Sequence, residues 1–302
     1  MMHLDGVKTI ANAILYEGYM LYPYRPSALK NQRPGWSFGT LLPPAYVDAN
    51  GGDSAFMEGQ VLITGPFDAD LAVEVRFLQL NEAAHGAAIE RSVLLETRVG
   101  DVVRGPLGSS FSFLSSGDQA EDRMIAGGVE LAAQALSDSA AKISIRVQNH
   151  SKLPNSAASR DAALKQSLIA AHAVLGTSTG EFISLLDPPE ALRTEAAACR
   201  QTGVFPVLAG DPARRETMLV SPIILYDYPE IAPESPGNFY DSAEIDELLT
   251  LRVLTLTDSE KSEMCTADVG RDLLERTQSS TPEDVLRMHG AIRRPMPGKD
   301  QA

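Results

Sequence analysis

Gly176-Thr177-Ser178-Thr179-Gly180 spells the G-x-S-x-G nucleophile elbow, in which a serine on a strained turn attacks a carbonyl. The elbow needs a strand before the serine and a helix after it, whose first amides support the oxyanion. Here the following residues, Glu181-Phe182-Ile183-Ser184-Leu185-Leu186, form a short β-prone run that Asp187-Pro188-Pro189 stops. A hairpin turn, with 181–186 as its second strand, accounts for the glycines better. A serine hydrolase using Ser178, with His172, His289 or a C-terminal acid as its partners, is the second functional reading.

Metal and nucleotide chemistry find less support. His3, His85, His150, His172 and His289 are widely spaced, and neither H-x-x-x-H nor C-x-x-C occurs, so no ligand set is assigned. His172 lies inside an apolar run and reads as a core or edge histidine. Cys199 and Cys265 are the only cysteines, which excludes a disulfide framework, and Cys199 reads as a small helix-face residue. No Walker-type loop and no G-x-G-x-x-G after a strand is present, so no cofactor is assigned. Asp241, Glu244, Asp246 and Glu247 look like paired acids, but acids in a first helical turn are what the helix dipole favours. Asn149-His150-Ser151 matches the glycosylation acceptor pattern as a chance occurrence.

Two segments point to recognition of another chain. Tyr16, Tyr19, Tyr22, Tyr24 and Trp36 gather with Arg25, Lys30 and Arg33, the residue types enriched at the centres of protein interfaces. The alternative for this segment is a strap whose aromatics plug one end of the fold. The second runs from Ser221 to Gly237 and holds Tyr226, Tyr228, Pro229, Glu230, Pro233 and Glu234. A chain so fixed by proline has little entropy to lose on docking, although it also suits a rigid connector.

The elements that must carry these residues are mainly strands. Runs at 60–64, 71–80, 89–97, 110–114, 128–136 and 142–149 are β-prone. Val73, Val75 and Phe77 alternate with Glu74 and Arg76, and Ile143, Ile145 and Val147 with Ser144 and Arg146, as half-buried antiparallel strands require. Two more strands are expected at 204–208 and 219–226, with a short helix at 190–200 and a loop over 43–54. Val7, Ile10, Ile14 and Leu15 mark a short N-terminal helix. Asp241 with Glu244, Thr257 with Glu260, and Thr281-Pro282 mark three late helix starts. The predicted fold is mainly β, an antiparallel sandwich-like domain with an N-terminal aromatic strap and a C-terminal helical extension. Its expected divisions are 1–54 for the N-terminal helix and aromatic segment, 55–226 for the sandwich, 227–290 for the Pro-rich acidic segment and helices, and 291–302 for a tail.

Bulk properties narrow the function further. The 302 residues carry 26 Lys plus Arg against 40 Asp plus Glu, a formal net charge of −14, which disfavours nucleic-acid partners. No apolar run reaches the roughly 20 residues needed to span a bilayer, and no secretory h-region opens the sequence. A cytoplasmic protein without membrane contact is therefore expected.

The two interface-like segments carry a family resemblance. Residues 13–25 (AILYEGYMLYPYR), Lys30-Asn31 and Trp36-Ser37-Phe38-Gly39 resemble an accessory protein encoded beside high-affinity, actinobacterial-type nickel-iron hydrogenases. So do 182–189 (FISLLDPP), 221–237 and 244–252 (EIDELLTLR), and the likeness runs from about 10 to 290, weakest over 100–160. The resemblance implies a cytoplasmic, non-enzymatic role in hydrogenase maturation or assembly, with a hydrogenase subunit or another maturation protein as partner. It does not imply hydrogenase catalysis, because paired C-x-x-C motifs for nickel and cysteine sets for iron-sulfur clusters are both missing. A small-molecule-binding β-sandwich is the third reading.

Overall fold

Alternating branched residues need a second apolar surface to bury their inward row, and two stacked sheets supply it. A computed structural model of the chain describes residues 38–51, 54–81, 87–114, 124–153 and 159–229, with 7, 10 and 11. Ten strands fill this span: β1 (Phe56–Thr64), β2 (Asp70–Asn81), β3 (Ala87–Arg98), β4 (Leu107–Leu114), β5 (Met124–Ser137), β6 (Ala140–Asn149), β7 (Ile169–Thr177), β8 (Glu181–Ile183), β9 (Phe205–Leu208) and β10 (Thr217–Ser221). They form two five-stranded antiparallel sheets, in the orders β4-β5-β6-β1-β8 and β3-β2-β7-β10-β9. The protein is a β-sandwich, as the alternation predicts.

The core lies between the sheets. Val73, Val75 and Phe77 of β2 face Ile143, Ile145 and Val147 of β6, and all six are almost completely buried. Helix α1 (Pro44–Asn50) and helix α2 (Val99–Arg104) flank the sandwich, and Val99 and Val102 of α2 close part of the core. The expected loop over 43–54 therefore contains a helix. Pro44 stands at its first position, where a missing N–H costs nothing, so the prolines that suggest a loop start a helix instead.

Three further expectations change. The stretch 169–186 does form two strands, but β7 pairs β2 and β10 in one sheet while β8 pairs β1 in the other. Residues 178–180 thus carry the chain between sheets and do not make a hairpin. β7 is buried at all nine positions, which explains its ambiguous pattern: a central strand covered on both faces has no alternation to read. Its outer face is covered in part by Val7 and Ala11, which pack with Val174, Val207, Ala209 and Leu219. The strand expected at 219–226 ends at Ser221 because Pro222 follows, and the helix expected at 190–200 reduces to a 3₁₀ turn (Glu190–Leu192) and a short helix (Arg193–Ala197). The N-terminal aromatic segment, the C-terminal helix starts and the tail lie outside the described residues.

Candidate functional site

Ser178 tips the crossing between β7 and β8. It is exposed, and its hydroxyl donates to Asp70 Oδ2 at 3.4 Å. His172 lies six residues back along β7, a separation of ~20 Å at the rise of an extended strand, and is fully buried. Among the described residues Ser178 therefore has a carboxylate beside it but no histidine, and no helix follows to build an oxyanion hole. The second glycine of the motif serves packing. A Cβ on Gly180 would lie 3.0 Å from the Thr64 carbonyl oxygen, and one on Gly65 would lie 2.8 Å from the Gly180 Cα. The two turns cross backbone on backbone, and Thr177 Oγ1 accepts from the Gly180 N–H at 3.3 Å.

His172 is a structural group. Its Nδ1 lies 2.8 Å from the Ala170 carbonyl oxygen, which can only accept, so Nδ1 carries the proton of a neutral ring. Nε2 is buried without a hydrogen-bond partner. Burial drives the imidazole down from 6.5 to about 4, the nearby Arg76 cation adds to the effect, and the Ala170 bond opposes it. Ala170 itself holds a left-handed φ of 52°, close to the register shift between Arg76 and Leu78 on β2. Arg76, expected on a solvated face, is 9% exposed and pairs with Glu90 at 3.5 Å.

Asn149 is committed to the fold. Its Nδ2 donates to Leu41 O and Gln166 O, both at 2.8 Å, and its Oδ1 accepts from the Ser151 N–H at 2.8 Å. At 1% exposure the acceptor-like sequence is unreachable for a transferase. Burial raises the Cys199 thiol, which keeps it protonated, and it packs beside Leu62 and Ile183. Among the described residues no group of three His, Cys, Asp or Glu side chains meets as a metal site. A surface depression of about 160 Å³ beside Gly65, Pro66, Phe67 and Val99 carries no titratable side chain, and its size falls below that of ordinary ligand clefts.

The best-organised site is the segment after β10. Asp227 is its anchor. Oδ2 accepts from Ser184 Oγ at 2.5 Å, just past β8 in the first sheet, and Oδ1 accepts from the Leu208 N–H at 2.8 Å on β9 in the second. Ser184 Oγ also accepts from the Leu186 and Asp187 amides, so all of its capacity is used. Tyr228 N–H donates to Leu208 O at 2.7 Å, its ring packs on the main core, and its hydroxyl donates to Pro212 O at 3.4 Å. Partial burial raises the Tyr228 phenol, against the lowering pull of Arg215. One carboxylate thus ties the two sheets together and caps the outer edge of β9.

Between the end of β10 and Asp227 the side chains alternate in exposure. Ile223 and Leu225 turn inward onto the cluster around Val174 and Leu219, while Ile224 and Tyr226 point out, 79% and 86% exposed. Leu186 and Phe205, each near one end of the clamp in sequence or pairing, are also exposed. Of the twelve residues nominated for partner binding, Tyr226 is at the surface, Tyr228 serves the fold, and Pro229 is half-buried. Tyr22, Tyr24, Arg25, Lys30, Arg33, Trp36, Glu230, Pro233 and Glu234 lie outside the described residues. Ile224 and the anchor Asp227 escaped the sequence reading; Ile223-Ile224-Leu225-Tyr226 is a continuous apolar run, and only the structure shows which of its side chains face out.

Comparison with protein-family models and with curated proteins finds no match for this chain. No helix among the described residues is long and apolar enough to cross a membrane.

Proposed function

We propose that this protein is a non-enzymatic accessory factor in the maturation or assembly of a nickel-iron hydrogenase, acting in the cytoplasm by binding a hydrogenase subunit or another maturation protein. One observation carries the binding part of this reading. The segment 222–229, pinned at Asp227 and Tyr228, holds Ile224 and Tyr226 in water on a backbone that is already ordered. Exposed aromatic and aliphatic side chains on a backbone already pinned in place bind with little further loss of entropy, and that is the physical character of an interface anchor. The same segment belongs to the stretch 221–237 that resembles the hydrogenase-linked accessory family, and this likeness supplies the identity of the client.

The test is co-purification of the tagged full chain from a host that makes the hydrogenase. The native chain and Ser178→Ala should both retain the hydrogenase subunit. Ile224→Ala with Tyr226→Ala should lose it, by a fall in affinity of more than tenfold, with an unchanged melting temperature. Loss of the client in Ser178→Ala with the fold intact would favour the hydrolase reading, and normal capture by the double variant would remove the segment 222–229 from the interface.

A further inference from the structure

A sandwich built from open sheets has four edges, and this chain protects them unequally. β8 is three residues long. β9 carries Pro206, and Asp227 and Tyr228 cap the outward groups of Leu208. β3 carries Glu90, Arg91, Glu96 and Arg98. β4, with the sequence LGSSFSFL, has eight residues and neither charge nor proline.

The hydrogen-bonding direction of β4 follows from its neighbour. Ala126 on β5 turns its backbone away from β4: its N–H donates to Ser151 Oγ at 3.1 Å, and its carbonyl accepts from the His150 N–H at 2.8 Å. Backbone groups alternate sides along a strand, so Ile125, Gly127 and Val129 bond to β4 at Phe113, Phe111 and Ser109. The backbone groups of Gly108, Ser110, Ser112 and Leu114 therefore face outward. Arg91 Nη2 occupies the Leu114 carbonyl at 3.1 Å. Gly108, Ser110 and Ser112 are exposed, and nothing lies within 4 Å of a Cβ placed on Gly108. Among the described residues nothing pairs with their outward amides and carbonyls, which form an open ladder.

We infer that this edge pairs with β4 of a second copy of the chain, antiparallel about a two-fold axis at Ser110, so that two five-stranded sheets become one continuous sheet. This goes beyond the accessory role and does not rest on it. In that register Ser110 faces its own mate, and Gly108 faces Ser112 of the other copy. Three pairs then exchange roughly six hydrogen bonds, while Leu114 keeps its bond to Arg91. On the core-side face, Leu107 meets Phe113 of the mate as an apolar cross-strand pair, and the small Ser109 meets Phe111. Leu107, Phe111 and Phe113 are half-buried at the margin of the core, where Phe111 and Phe113 stack with Phe77 at 5.5 and 5.8 Å. A second strand would complete their cover. Self-complementarity selects the second copy as the occupant: about Ser110 the strand LGSSFSFL sets only glycine and serine at its three outward pairs and Leu107 opposite Phe113, and 105–117 contains no charged residue, so no like charges meet at the seam between two chains of net charge −14.

Sedimentation of the full chain at roughly 100 μM, well within the range where specific dimers form, should give a mass near twice the 32.4 kDa of one chain. Ser110→Lys with Ser112→Lys should halve that mass and leave the melting temperature measured at a dilution where both chains are monomeric unchanged, since lysine on an outward edge blocks pairing without touching the β5 ladder. Register has its own readout in a background with both native cysteines changed to serine. Ser110→Cys, placed on the axis at a Cα separation of ~5.5 Å, should oxidise to a linked dimer much faster than Ser112→Cys. A native chain that sediments as a monomer, a dimer that survives both lysines, or equal cross-linking at 110 and 112 would each overturn the proposal. A monomer whose β4 instead takes up an extended segment of a client protein would do so as well.

Discussion

Protonation of His172 should make the fold labile to acid. The ring is fully buried, it is neutral with Nδ1–H on the Ala170 carbonyl, and its folded value of about 4 lies below the 6.5 of an exposed histidine. Between those values the unfolded chain takes a proton that the folded chain refuses, so stability falls as pH falls through the window from 6.5 to about 4. Each unit of difference corresponds to about 1.4 kcal/mol, which gives a loss of about 2 kcal/mol by pH 5 and about 3 kcal/mol by pH 4. Against a domain stability of roughly 5–15 kcal/mol that loss is decisive. Urea unfolding of the native chain and of His172→Gln, measured from pH 7 to pH 4, isolates the effect, because other titrating groups cancel in the difference between the two. The difference should change by about 2 kcal/mol between pH 7 and pH 5, the native chain losing more. A difference that stays flat with pH would show that the folded protein accepts the proton at its ordinary value, and the account of His172 as a neutral, desolvated ring would fail.

The Asp227 clamp and the Asn149 staple give two further tests. Asp227→Ala removes two bonds to a carboxylate and leaves the Ser184 hydroxyl and the Leu208 amide without their acceptor, so unfolding should become about 2–3 kcal/mol easier and proteolysis within 222–229 faster, as urea titration and peptide mapping would report. Asn149→Leu takes one donor from each of the Leu41 and Gln166 carbonyls and leaves the buried Ser151 N–H without its acceptor, with an expected loss of about 2 kcal/mol or more; a change under half a kcal/mol would mean that water takes over these bonds. In a secretory host, intact-mass measurement of the folded native chain should find Asn149 without glycan.

Residue order alone was enough to announce a mainly β protein, because alternation at Val73, Val75 and Phe77, or at Ile143, Ile145 and Val147, is a local property: period two fixes which side chains share a face. Proline positions were equally legible as interruptions, and Pro222 ends β10 as its chemistry demands. Their consequence was less so, since Pro44 opens a helix that the same residues suggest is a loop. Fully buried β7 gave no alternating signal, because both of its faces are covered by parts of the chain far away in sequence. The motif around Ser178 shows the same boundary: its letters suggest a nucleophile, yet Gly180 is glycine because a turn 115 residues earlier passes against it at Gly65. Asp227 was readable only as one acid among prolines. Its role follows from meeting Ser184, 43 residues away, and Leu208, 19 residues away, on opposite sheets. Periodicity states which way a side chain faces, but the identity of what it faces depends on strand order and register, which arise from contacts between distant segments and exist only once the two sheets have closed on each other.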